Sequence, residues 1–541
     1  MPSIGDRDAG GAGNVRLSRR EFLFAVAVAP TVAPALIGLT QKGGDPIAGN
    51  FVDDDSAVGH ALRDGTLVSR AREQRRVSVA IVGGGIGGLS AGWRLDALGM
   101  RDWLLLELAT TTGGNARSGG NTTGRFPWGA HYLPVPSAEA VHVRTLMREL
   151  GVLGANGQWD ERVLCHSPQE RLWQHGRFHD GLEPLDAMPR AERVQFARFD
   201  ALMAEWRASQ AFSVPSALGQ ERLLNGALGN GATQAIRALD AQTADAWLRA
   251  QGLTSPALRW WVEYGLRDDY GSSLTQASAW AAVHYSAARG ADSASEEGPL
   301  TWPEGNDWIA QRLAVRGGDR VLTGAPALAI SREGTGWLVR TPTMDVRCDA
   351  IIWAAPLFVL PKVLPAVQIP VPIDYASWVV ANITLRRPPQ ERGASPAWDS
   401  VIYGSESLGY IDAGHQSLAT RGPRRVWTWY HAVVDRDGPS GRRWLQQQPW
   451  SAWRDRILND LARAHSDIAD CVERIDVMRW GHAMARPLPG VLDRVARLKA
   501  WSPAPRVFIA HADMSSLSLF EEAQWHGVSA AERAVRSLGQ G

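Results

Sequence analysis

The spacing of apolar residues along the chain predicts alternating strands and helices. Residues 77–82 form a short β-branched run that ends in glycine, as a buried strand does. Residues 89–98 carry apolar side chains at helical spacing, so a strand-to-helix turn lies between the two segments. The ranges 138–150 and 189–208 have the same helical spacing and suit a layer of helices over a sheet. The pattern as a whole predicts an α/β fold.

The turn after the first predicted strand is rich in glycine. Gly83, Gly85 and Gly88 form a G-x-G-x-x-G pattern, with Gly87 in the same turn. Such glycines allow a tight turn, a close approach of the backbone to a pyrophosphate, and close packing of helix on strand. A second apolar run ends at Glu107, roughly twenty residues further on, where a carboxylate accepts hydrogen bonds from a ribose hydroxyl. This combination predicts a dinucleotide-binding turn without separating FAD from NAD.

The N-terminal residues have the parts of an export signal. Arg19 and Arg20 precede an uncharged stretch at 22–39. Pro30 and Pro34 interrupt this stretch, which weakens the interpretation of a permanent membrane span. The segment resembles twin-arginine signals, which serve proteins that fold before they cross the membrane.

That resemblance implies a partner and a destination. Residues 1–40 would be the signal, the twin-arginine translocase a partner during export, and the periplasm the final compartment. An uncleaved signal would leave the protein tethered to the membrane. Residues 41–75 are rich in Gly, Asp and Arg with no sustained period, which predicts a linker excluded from the fold.

Composition excludes several other classes of function. The 541 residues are 45% hydrophobic and 21% charged, which is typical of a globular chain with one large or two interleaved domains. The formal net charge is +1, so no nucleic-acid partner is indicated, and a small-molecule substrate is the expected partner. Cys165, Cys348 and Cys471 stand far apart without a CxxC pair, so no metal site is predicted.

Motifs beyond the glycine turn resemble one superfamily. The segment ATTTGGNARSGG at 109–120 places Gly114 and Arg117 after the second predicted strand. It is similar to the GGxxRS continuation of the flavin-containing amine oxidase superfamily, which also holds protoporphyrinogen oxidases and phytoene-type desaturases. Later segments between 302 and 535 resemble the same superfamily in the same order. The resemblance implies a non-covalently bound FAD.

It also implies a discontinuous domain organisation. A Rossmann-like FAD-binding domain would be built from 76–135, 300–365 and 500–541. An interleaved α+β substrate domain, or cap, would be built from 136–299 and 366–499. The expected fold class is therefore α/β with two interleaved domains.

The resemblance assigns roles to individual residues of the cofactor site. It implies that the backbone of Val321 meets the adenine and that the carboxylate of Asp513 holds the ribityl chain. Backbone amides around Trp525 and Val528, at a helix N-terminus, would face the flavin pyrimidine and stabilise negative charge there. The predicted cofactor-binding residues are Gly83, Gly85, Gly87, Gly88, Glu107, Gly114, Arg117, Gly129, Val321, Asp513, Trp525 and Val528.

Two residues are candidates for the chemistry. His131 lies in the segment 125–136, which in relatives runs beside the flavin ring, so it could act as an acid or base near neutral pH. The alternative is a loop histidine that is hydrogen-bonded to the backbone. Trp480 matches a tryptophan that approaches the isoalloxazine in relatives.

Other features of the amine oxidases are missing or displaced. The lysine that holds a water near the flavin in many of them would fall at Ala381 or Asn382, whereas the chain has lysines only at 42, 362 and 499. The counterparts of their two aromatic rings fall near Gly490 and Ala523, and Trp525 could replace one of them.

A cluster of aromatic and acidic residues offers a substrate site. The segment 259–285 combines Trp260, Trp261 and Tyr264 with Asp268 and Asp269. Carboxylates beside aromatic rings can hold a cationic amine, although the same pattern suits the core of a cap domain.

Together these observations predict an FAD-dependent oxidoreductase that abstracts a hydride from a small amine or an apolar organic substrate. One alternative is a desaturase-like flavin dehydrogenase that passes electrons to a quinone or another acceptor. Another is a flavin-bound, non-catalytic export partner.

Overall fold

The computed structural model describes residues 47–52, 55–70, 73–184, 188–288, 298–417 and 422–539. The predicted signal at 1–40 lies outside these described residues. The strands are β1 (Ala48–Phe51), β2 (Glu73–Val82), β3 (Trp103–Leu106), β4 (Ser118–Gly120), β5 (Arg125–Pro127), β6 (Tyr132–Leu133), β7 (Glu170–Gln174), β8 (Arg177–Asp180), β9 (Leu300–Thr301), β10 (Val321–Leu322), β11 (Ala329–Glu333), β12 (Gly336–Arg340), β13 (Met344–Trp353), β14 (Tyr375–Leu385), β15 (Asp399–Ile402), β16 (Tyr410–Asp412), β17 (Arg425–Val433), β18 (Val472–Ala485) and β19 (Val507–Ile509).

The α-helices of the described ranges complete the element order. They are α1 (Asp55–Arg63), α2 (Ile86–Ala97), α3 (Val141–Glu149), α4 (Arg190–Ala208), α5 (Ser216–Leu224), α6 (Gly229–Asp240), α7 (Ala244–Ala250), α8 (Pro256–Tyr270), α9 (Ala279–Ala287), α10 (Asp307–Gly317), α11 (Leu360–Val363), α12 (Gly438–Gln447), α13 (Trp450–Leu461), α14 (Ile468–Cys471), α15 (Val491–Ala500) and α16 (Phe520–Gly539). Within these ranges, none of the helices is both long and apolar enough to cross a membrane.

The first large sheet, which we call the Rossmann sheet, is mostly parallel. Its strands follow the order β10-β3-β2-β13-β12-β11, with β19 beside the second half of β13. Strands β10, β3, β2, β13 and β19 are parallel, whereas β11 and β12 add an antiparallel hairpin. The carboxyl ends of parallel strands meet at one edge, where open α/β sheets bind ligands. The predicted α/β fold with a Rossmann-like sheet is confirmed.

Small residues let two helices lie close to this sheet. A Cβ atom at Gly87 of α2 would come within 2.0 Å of the Ala510 carbonyl oxygen, just after β19. A Cβ atom at Gly527 of α16 would come within 2.2 Å of the Gly87 carbonyl oxygen. Glycine at both positions therefore allows α2 and α16 to pack closely over the Rossmann core, where Leu89 and Val528 are buried.

The second large sheet, which we call the substrate sheet, has the order β1-β18-β14-β17-β16-β15-β7-β8. Strand β14 is buried along all eleven residues because it lies between β17 and β18 in a sheet that is covered on both faces. Alternate side chains of a strand point to opposite faces. Val379, Ala381 and Ile383 join one core with α12 and α13, whereas Trp378 and Val380 join the core on the opposite face.

Helices α4 to α9 form a third layer around their own core. Phe196 and Phe199 of α4 pack there with Trp247 of α7, Leu258 of α8 and Trp280 of α9. The helical spacing at 189–208 therefore corresponds to α4, and the spacing at 138–150 corresponds to α3.

The prediction that residues 41–75 form a linker excluded from the fold is wrong for the part that the structure describes. Strand β1 pairs in parallel with β18, from Ala48 opposite Arg474 to Phe51 opposite Val477, and α1 follows it. The sequence of β1, AGNF, has no apolar alternation. This edge strand is held by backbone hydrogen bonds to β18, which do not depend on the side chains. Periodicity in the sequence cannot predict such a strand.

Candidate functional site

A cavity opens at the carboxyl ends of β2, β3, β13 and β19. We call it the dinucleotide cavity, and its lining includes residues within 82–87, 106–108, 113–116, 353–356 and 510–513. This is the edge at which parallel α/β sheets bind nucleotides. The chain segments that meet there come from both ends of the sequence.

The glycine turn shapes one wall of the dinucleotide cavity. Gly83 has a φ of 110°, and a Cβ atom there would come within 2.7 Å of the backbone of Ala354. A Cβ atom at Gly88 would come within 1.9 Å of the Gly83 carbonyl oxygen, whereas one at Gly85 would meet only Gly114 Cα, at 4.0 Å. Gly88 therefore serves packing, and Gly83, Gly85 and Gly87 line the cavity. Helix α2 begins after Gly85 without a side-chain cap, which leaves its first N–H groups available to a phosphate.

Glu107 lies directly after β3, in the lining of the dinucleotide cavity. Its two carboxylate oxygens accept hydrogen bonds from the backbone N–H groups of Gly84, at 2.5 Å, and Ala109, at 2.8 Å. These contacts fix the carboxylate at the end of the strand. Burial raises the pKa of Glu107, and the two backbone hydrogen bonds oppose that rise. The predicted position of an acid at this strand end thus agrees with the geometry.

Asp513 lies deep in the same cavity. Its Oδ2 atom accepts hydrogen bonds from the Leu357 N–H, at 2.9 Å, and the Tyr375 hydroxyl, at 2.6 Å. Its Oδ1 atom is buried and has no hydrogen-bond partner among the described residues. Burial disfavours the charged form, but His511, which lies 3.2 Å away, and the two hydrogen bonds outweigh burial and hold the pKa of Asp513 low. Asp513 therefore presents an ionised acceptor to a hydroxyl group.

A second cavity, which we call the inner cavity, adjoins the first. The two share Asn115, Ala130, Asn306, Ala483 and residues 518–520 in their linings. The inner cavity is otherwise rich in aromatic and apolar side chains: His131, Tyr132, Leu133, Trp378, Val380, Tyr430, Trp480 and Met484. A molecule in the inner cavity would therefore lie next to whatever occupies the shared end of the dinucleotide cavity.

The predicted candidates for the chemistry, His131 and Trp480, both line the inner cavity. Trp480 Nε1 donates a hydrogen bond to the Trp128 carbonyl oxygen at 2.7 Å, which fixes the ring. The His131 ring stacks on Tyr430 with a centroid distance of 4.5 Å and is hydrogen-bonded to the Gly129 backbone. Burial lowers the pKa of His131 to about 4, so the ring is neutral at physiological pH. This geometry favours the interpretation of a backbone-bonded loop histidine.

Lysine is absent from both cavities in the part of the chain that the structure describes. Ala381 faces the opposite side of the substrate sheet. Asn382 Nδ2 donates to the Pro127 carbonyl oxygen at 3.0 Å, and its Oδ1 atom accepts from the Thr428 hydroxyl at 2.7 Å. The residues of β14 that line the inner cavity are Trp378 and Val380.

Three carboxylates lie beyond the inner cavity. Glu170 of β7, Asp268 of α8 and Asp399 of β15 line a further cavity, which we call the acidic cavity, together with Tyr264 and Trp398. Asp268 also lines the inner cavity, where its Oδ2 atom accepts a hydrogen bond from the Tyr132 hydroxyl at 3.1 Å. The acidic cavity thus adjoins the inner cavity.

Beyond the acidic cavity lies an outer cavity, which shares Glu170 and Leu182 with it. Exposed side chains such as Arg177 and Glu183 line the outer cavity. The four cavities thus adjoin one another in order, from the exposed lining of the outer cavity to the dinucleotide cavity.

Burial raises the pKa of Asp399 well above its ordinary range, and the neighbouring charges of Glu170 and Asp268 raise it further. Burial likewise raises the pKa of Glu170. Among the described residues that line the acidic cavity there is no lysine or arginine. Burial and mutual repulsion therefore favour the neutral forms of Asp399 and Glu170, and a nearby cation would favour their charged forms.

Two predicted cofactor contacts lie elsewhere in the structure. Val321 is on the edge strand β10, where its side chain packs against Gly317, and the residue of this region that lines the dinucleotide cavity is Ala327. Gly129 lines the inner cavity. Glycine is needed there because a Cβ atom would clash with the Asn115 carbonyl oxygen.

Arg117 is also placed differently from the prediction. Gly114 lines the dinucleotide cavity, but Arg117 lies behind this turn. Its guanidinium pairs with the Asp55 carboxylate and lies over the Trp480 ring, 5.2 Å from the ring centroid. An acidic partner from the N-terminal segment could not be predicted from the motif around Arg117.

The prediction for Trp525 and Val528 is wrong because α16 begins earlier, at Phe520. Val528 is buried in the Rossmann core, and the Trp525 ring lies 5.8 Å from the ring of His142. Amides at these interior positions are bonded within the helix. The residues at the N-terminal end of α16 that line the cavities are Ser518, Leu519 and Phe520.

The start of α16 does have a sequence signal. Glu521 and Glu522 form an acidic first turn, which is typical of a helix N-terminus. By contrast, Gly490 caps α15 and Ala523 lines the dinucleotide cavity, so neither position supplies an aromatic ring beside the inner cavity. The aromatic rings there come from β14, β17 and β18 instead.

A dinucleotide cavity on a Rossmann sheet, beside an aromatic cavity, is the arrangement expected of an oxidoreductase with a dinucleotide cofactor. The sequence matches the family model of flavin containing amine oxidoreductases over residues 86–535, so the chain belongs to this family. It is an FAD-dependent oxidoreductase. No curated protein matches the sequence.

Solved structures share the fold at low sequence identity. Putrescine oxidase bound to putrescine is 16% identical with a TM-score of 0.62, and the match covers 86% of this chain and all of that one. Cyclohexylamine oxidase from Brevibacterium oxydans is 17% identical with a TM-score of 0.61, covering 86% and 99%. A fatty acid isomerase from P. acnes that produces CLA is 15% identical with a TM-score of 0.59, covering 84% and 98%. The shared fold therefore serves several reactions.

The residues of the dinucleotide cavity fit FAD. Gly85 and Gly114 leave backbone space beside the free N-terminus of α2 for a pyrophosphate, and Glu107 is placed for the adenosine ribose. The unpartnered Oδ1 atom of Asp513 offers an acceptor for a ribityl hydroxyl. The N-terminal end of α16 at Phe520 would place its backbone dipole toward the flavin ring system.

Proposed function

We propose that the protein oxidises an organic amine that enters as a cation through the acidic cavity. The observation that carries this proposal is the set of adjoining cavities in which Glu170 lines the outer and acidic cavities, Asp399 the acidic cavity, and Asp268 the acidic and inner cavities. Like charges that are buried together cost free energy, and a ligand cation removes that cost. An ammonium group is the cation that matches both the carboxylates and the surrounding aromatic rings.

The inner cavity would handle the substrate differently from the acidic cavity. Leu133, Val380, Tyr430 and Trp480 give it an apolar and aromatic surface for the carbon skeleton, beside the carboxylates of Asp268, Asp269 and Glu521. Asp268 lines both cavities, so its carboxylate is the group placed to take the ammonium proton as the amine nitrogen moves inward. Tyr132 holds that carboxylate in position by its hydroxyl hydrogen bond.

Bound FAD supplies the hydride acceptor for the carbon next to the amine nitrogen. The protein would orient the substrate between the fixed Trp480 ring and the stacked pair of His131 and Tyr430. Such positioning is the part of the catalysis that these side chains can provide.

The test is anaerobic flavin bleaching by matched substrates. Primary amines, diamines and neutral alcohols of equal chain length would be mixed with the FAD-loaded protein, and absorbance near 450 nm followed. Amines should bleach the flavin and alcohols should not. An inert flavin with every amine, or equal bleaching by alcohols, would contradict the proposal.

Substitution of a carboxylate in the acidic cavity gives a second test. Asp399→Asn should raise the KM for an amine at least about tenfold with little change in kcat, because a charge-assisted contact contributes about 1.5–3 kcal/mol. The control is Glu161→Gln, an exposed acid outside all four cavities. Equal KM values for the two variants would show that the acidic cavity does not contribute to substrate binding.

A second candidate function concerns the electron acceptor. The absence of lysine from the described lining of both cavities favours a desaturase-like dehydrogenase that passes electrons to a quinone. Reoxidation of substrate-reduced protein would be timed in air and with a soluble quinone. A quinone rate more than about tenfold above the oxygen rate supports this candidate, and the reverse supports an oxidase.

We also propose export of the folded protein through the twin-arginine translocase to the periplasm. The support is the pair Arg19 and Arg20 before the uncharged stretch at 22–39. Replacing both arginines by lysine should leave the loaded protein in the cytoplasm, whereas Arg7→Lys should not. Normal export of the double variant would refute the proposal.

A further inference from the structure

The segment between β1 and β2 crosses from one large sheet to the other. Strand β1 is the edge of the substrate sheet, and β2 is central in the Rossmann sheet. Between them, α1 exposes Ser56, Ala57, His60 and Arg63, whereas its other five residues, which include Asp55, Val58 and Leu62, are half-buried. Leu62 lines the dinucleotide cavity. Helix α1 therefore lies at the cavity that holds the cofactor.

Each end of α1 is attached to a different wall of this cavity. At the start of the helix, Asp55 pairs with Arg117, just after the cavity-lining turn at 113–116; the two side chains are 27% and 15% exposed. At the end of the helix, Leu62 packs against the core cluster of the Rossmann sheet that includes Leu360 and Val363. The two attachments involve different chemistry, so they can be broken separately.

The chain after α1 is also fixed. Ser69 Oγ donates a hydrogen bond to the Thr341 carbonyl oxygen, and the Arg70 N–H donates one to the Pro342 carbonyl oxygen, both at 2.8 Å. The helix is thus held at both ends but has no fully buried residue of its own. Local opening of such an element requires less free energy than global unfolding.

We propose that α1 is a cover that retains FAD, with Leu62 as a contact of the cofactor and Asp55 as a positioning residue that fastens the cover through Arg117. The proposal rests on FAD binding and is independent of the substrate. The region that matches the family model begins at residue 86, so α1 lies outside the region that matches the family. FAD would leave only when α1 opens.

The test measures FAD release from the loaded full chain by the rise of flavin fluorescence after dilution. Leu62→Asp should speed release at least tenfold, because a charge replaces the apolar contact, and Leu62→Ala should speed it about threefold. Asp55→Asn should speed release about fivefold. The matched control, Arg63→Gln, alters an exposed side chain that pairs with Asp64 and should leave the rate unchanged.

Two further readouts separate a cover from a merely structural helix. The melting temperature of the flavin-free protein should be nearly unchanged in Asp55→Asn and Arg63→Gln, and lowered slightly in the Leu62 variants because Leu62 is half-buried against the Rossmann core. Added salt should accelerate release from the parent modestly more than release from Asp55→Asn, because a pair that is 15% and 27% exposed is screened less than a surface pair. Unchanged release in the Leu62 and Asp55 variants would overturn the proposal. Slower release in Asp55→Asn would also overturn it, because a freed Arg117 would then be binding the cofactor.

Discussion

The dinucleotide cavity and the acidic cavity are built by opposite means. The first is formed largely by backbone: a glycine turn, the free end of α2 and the N-terminus of α16, with Glu107 and Asp513 held by hydrogen bonds. The second is formed by side chains from β7, α8 and β15, which bring carboxylates together at an electrostatic cost. The cofactor site is therefore built from short segments whose carboxylates are stabilised by hydrogen bonds. The acidic cavity instead depends on strands that are distant in sequence, and bringing its carboxylates together lowers the stability of the fold.

The largest expected effect comes from the backbone side of this comparison. Gly88→Ala would place a Cβ atom 1.9 Å from the Gly83 carbonyl oxygen, so we expect a loss of at least about 2 kcal/mol in the free energy of unfolding and little flavin-loaded protein. Gly85→Ala meets open space and should preserve the melting temperature of the flavin-free form while weakening FAD binding. Thermal melts with and without FAD distinguish the two variants. Equal melting temperatures would show that Gly88 does not serve packing.

Asp513 gives the next largest effect. Asp513→Asn removes the charge that the unpartnered Oδ1 atom offers to FAD, and we expect the Kd for FAD to rise roughly 30-fold to 100-fold. Tyr375→Phe removes only one donor to Oδ2 and should raise the Kd less than about tenfold. Fluorescence titration of the flavin-free protein measures both values. A Tyr375 effect as large as the Asp513 effect would indicate that support of the carboxylate, not its contact with FAD, dominates.

The same difference, between a cavity built from local backbone and one built from distant side chains, decides which parts of the site the sequence could predict. The turn from Gly83 to Gly88 and the acid at Glu107 were predictable because their spacing along the chain defines their spacing in space. The Rossmann-like fold was likewise predictable from a strand, a helix and a second strand in order. The start of α16 was predicted too far along the chain, because the resemblance places it near Trp525. The acidic first turn at Glu521 indicates the observed start at Phe520.

Local pattern predicted only the part of the acidic cavity that Tyr264 and Asp268 supply. Glu170 and Asp399 come together only because β7 and β15 pair in parallel, with these two residues in register. More than two hundred residues separate them in the sequence, and neither neighbourhood has a distinctive motif. The same holds for Asp55 and Arg117, whose contact depends on the path of the segment after β1.

Asp399 tests the electrostatic cost of the acidic cavity. Its pKa is raised in the folded protein, so the folded state binds more protons than the unfolded state above the unfolded pKa of about 4, and stability falls as pH rises. Asp399→Asn should therefore raise the melting temperature at pH 7, by an amount that vanishes below about pH 4. Thermal melts across this range, with Glu161→Gln as the control, check the sign. A lower melting temperature at pH 7 would mean that the charged carboxylate stabilises the fold.

The smallest effect is expected at His131, which lies between the two regions. With its pKa lowered to about 4, the ring does not change charge between pH 5 and 8, so it cannot produce a titration of kcat/KM in that range. His131→Phe keeps a ring to stack on Tyr430, and we expect less than about a fivefold loss of kcat with an unchanged pH profile. A general base would instead lose about 10²-fold to 10⁴-fold. His131 lines both the inner and the acidic cavity and stacks on Tyr430. A large loss would therefore assign a proton transfer to His131 and move that step away from Asp268.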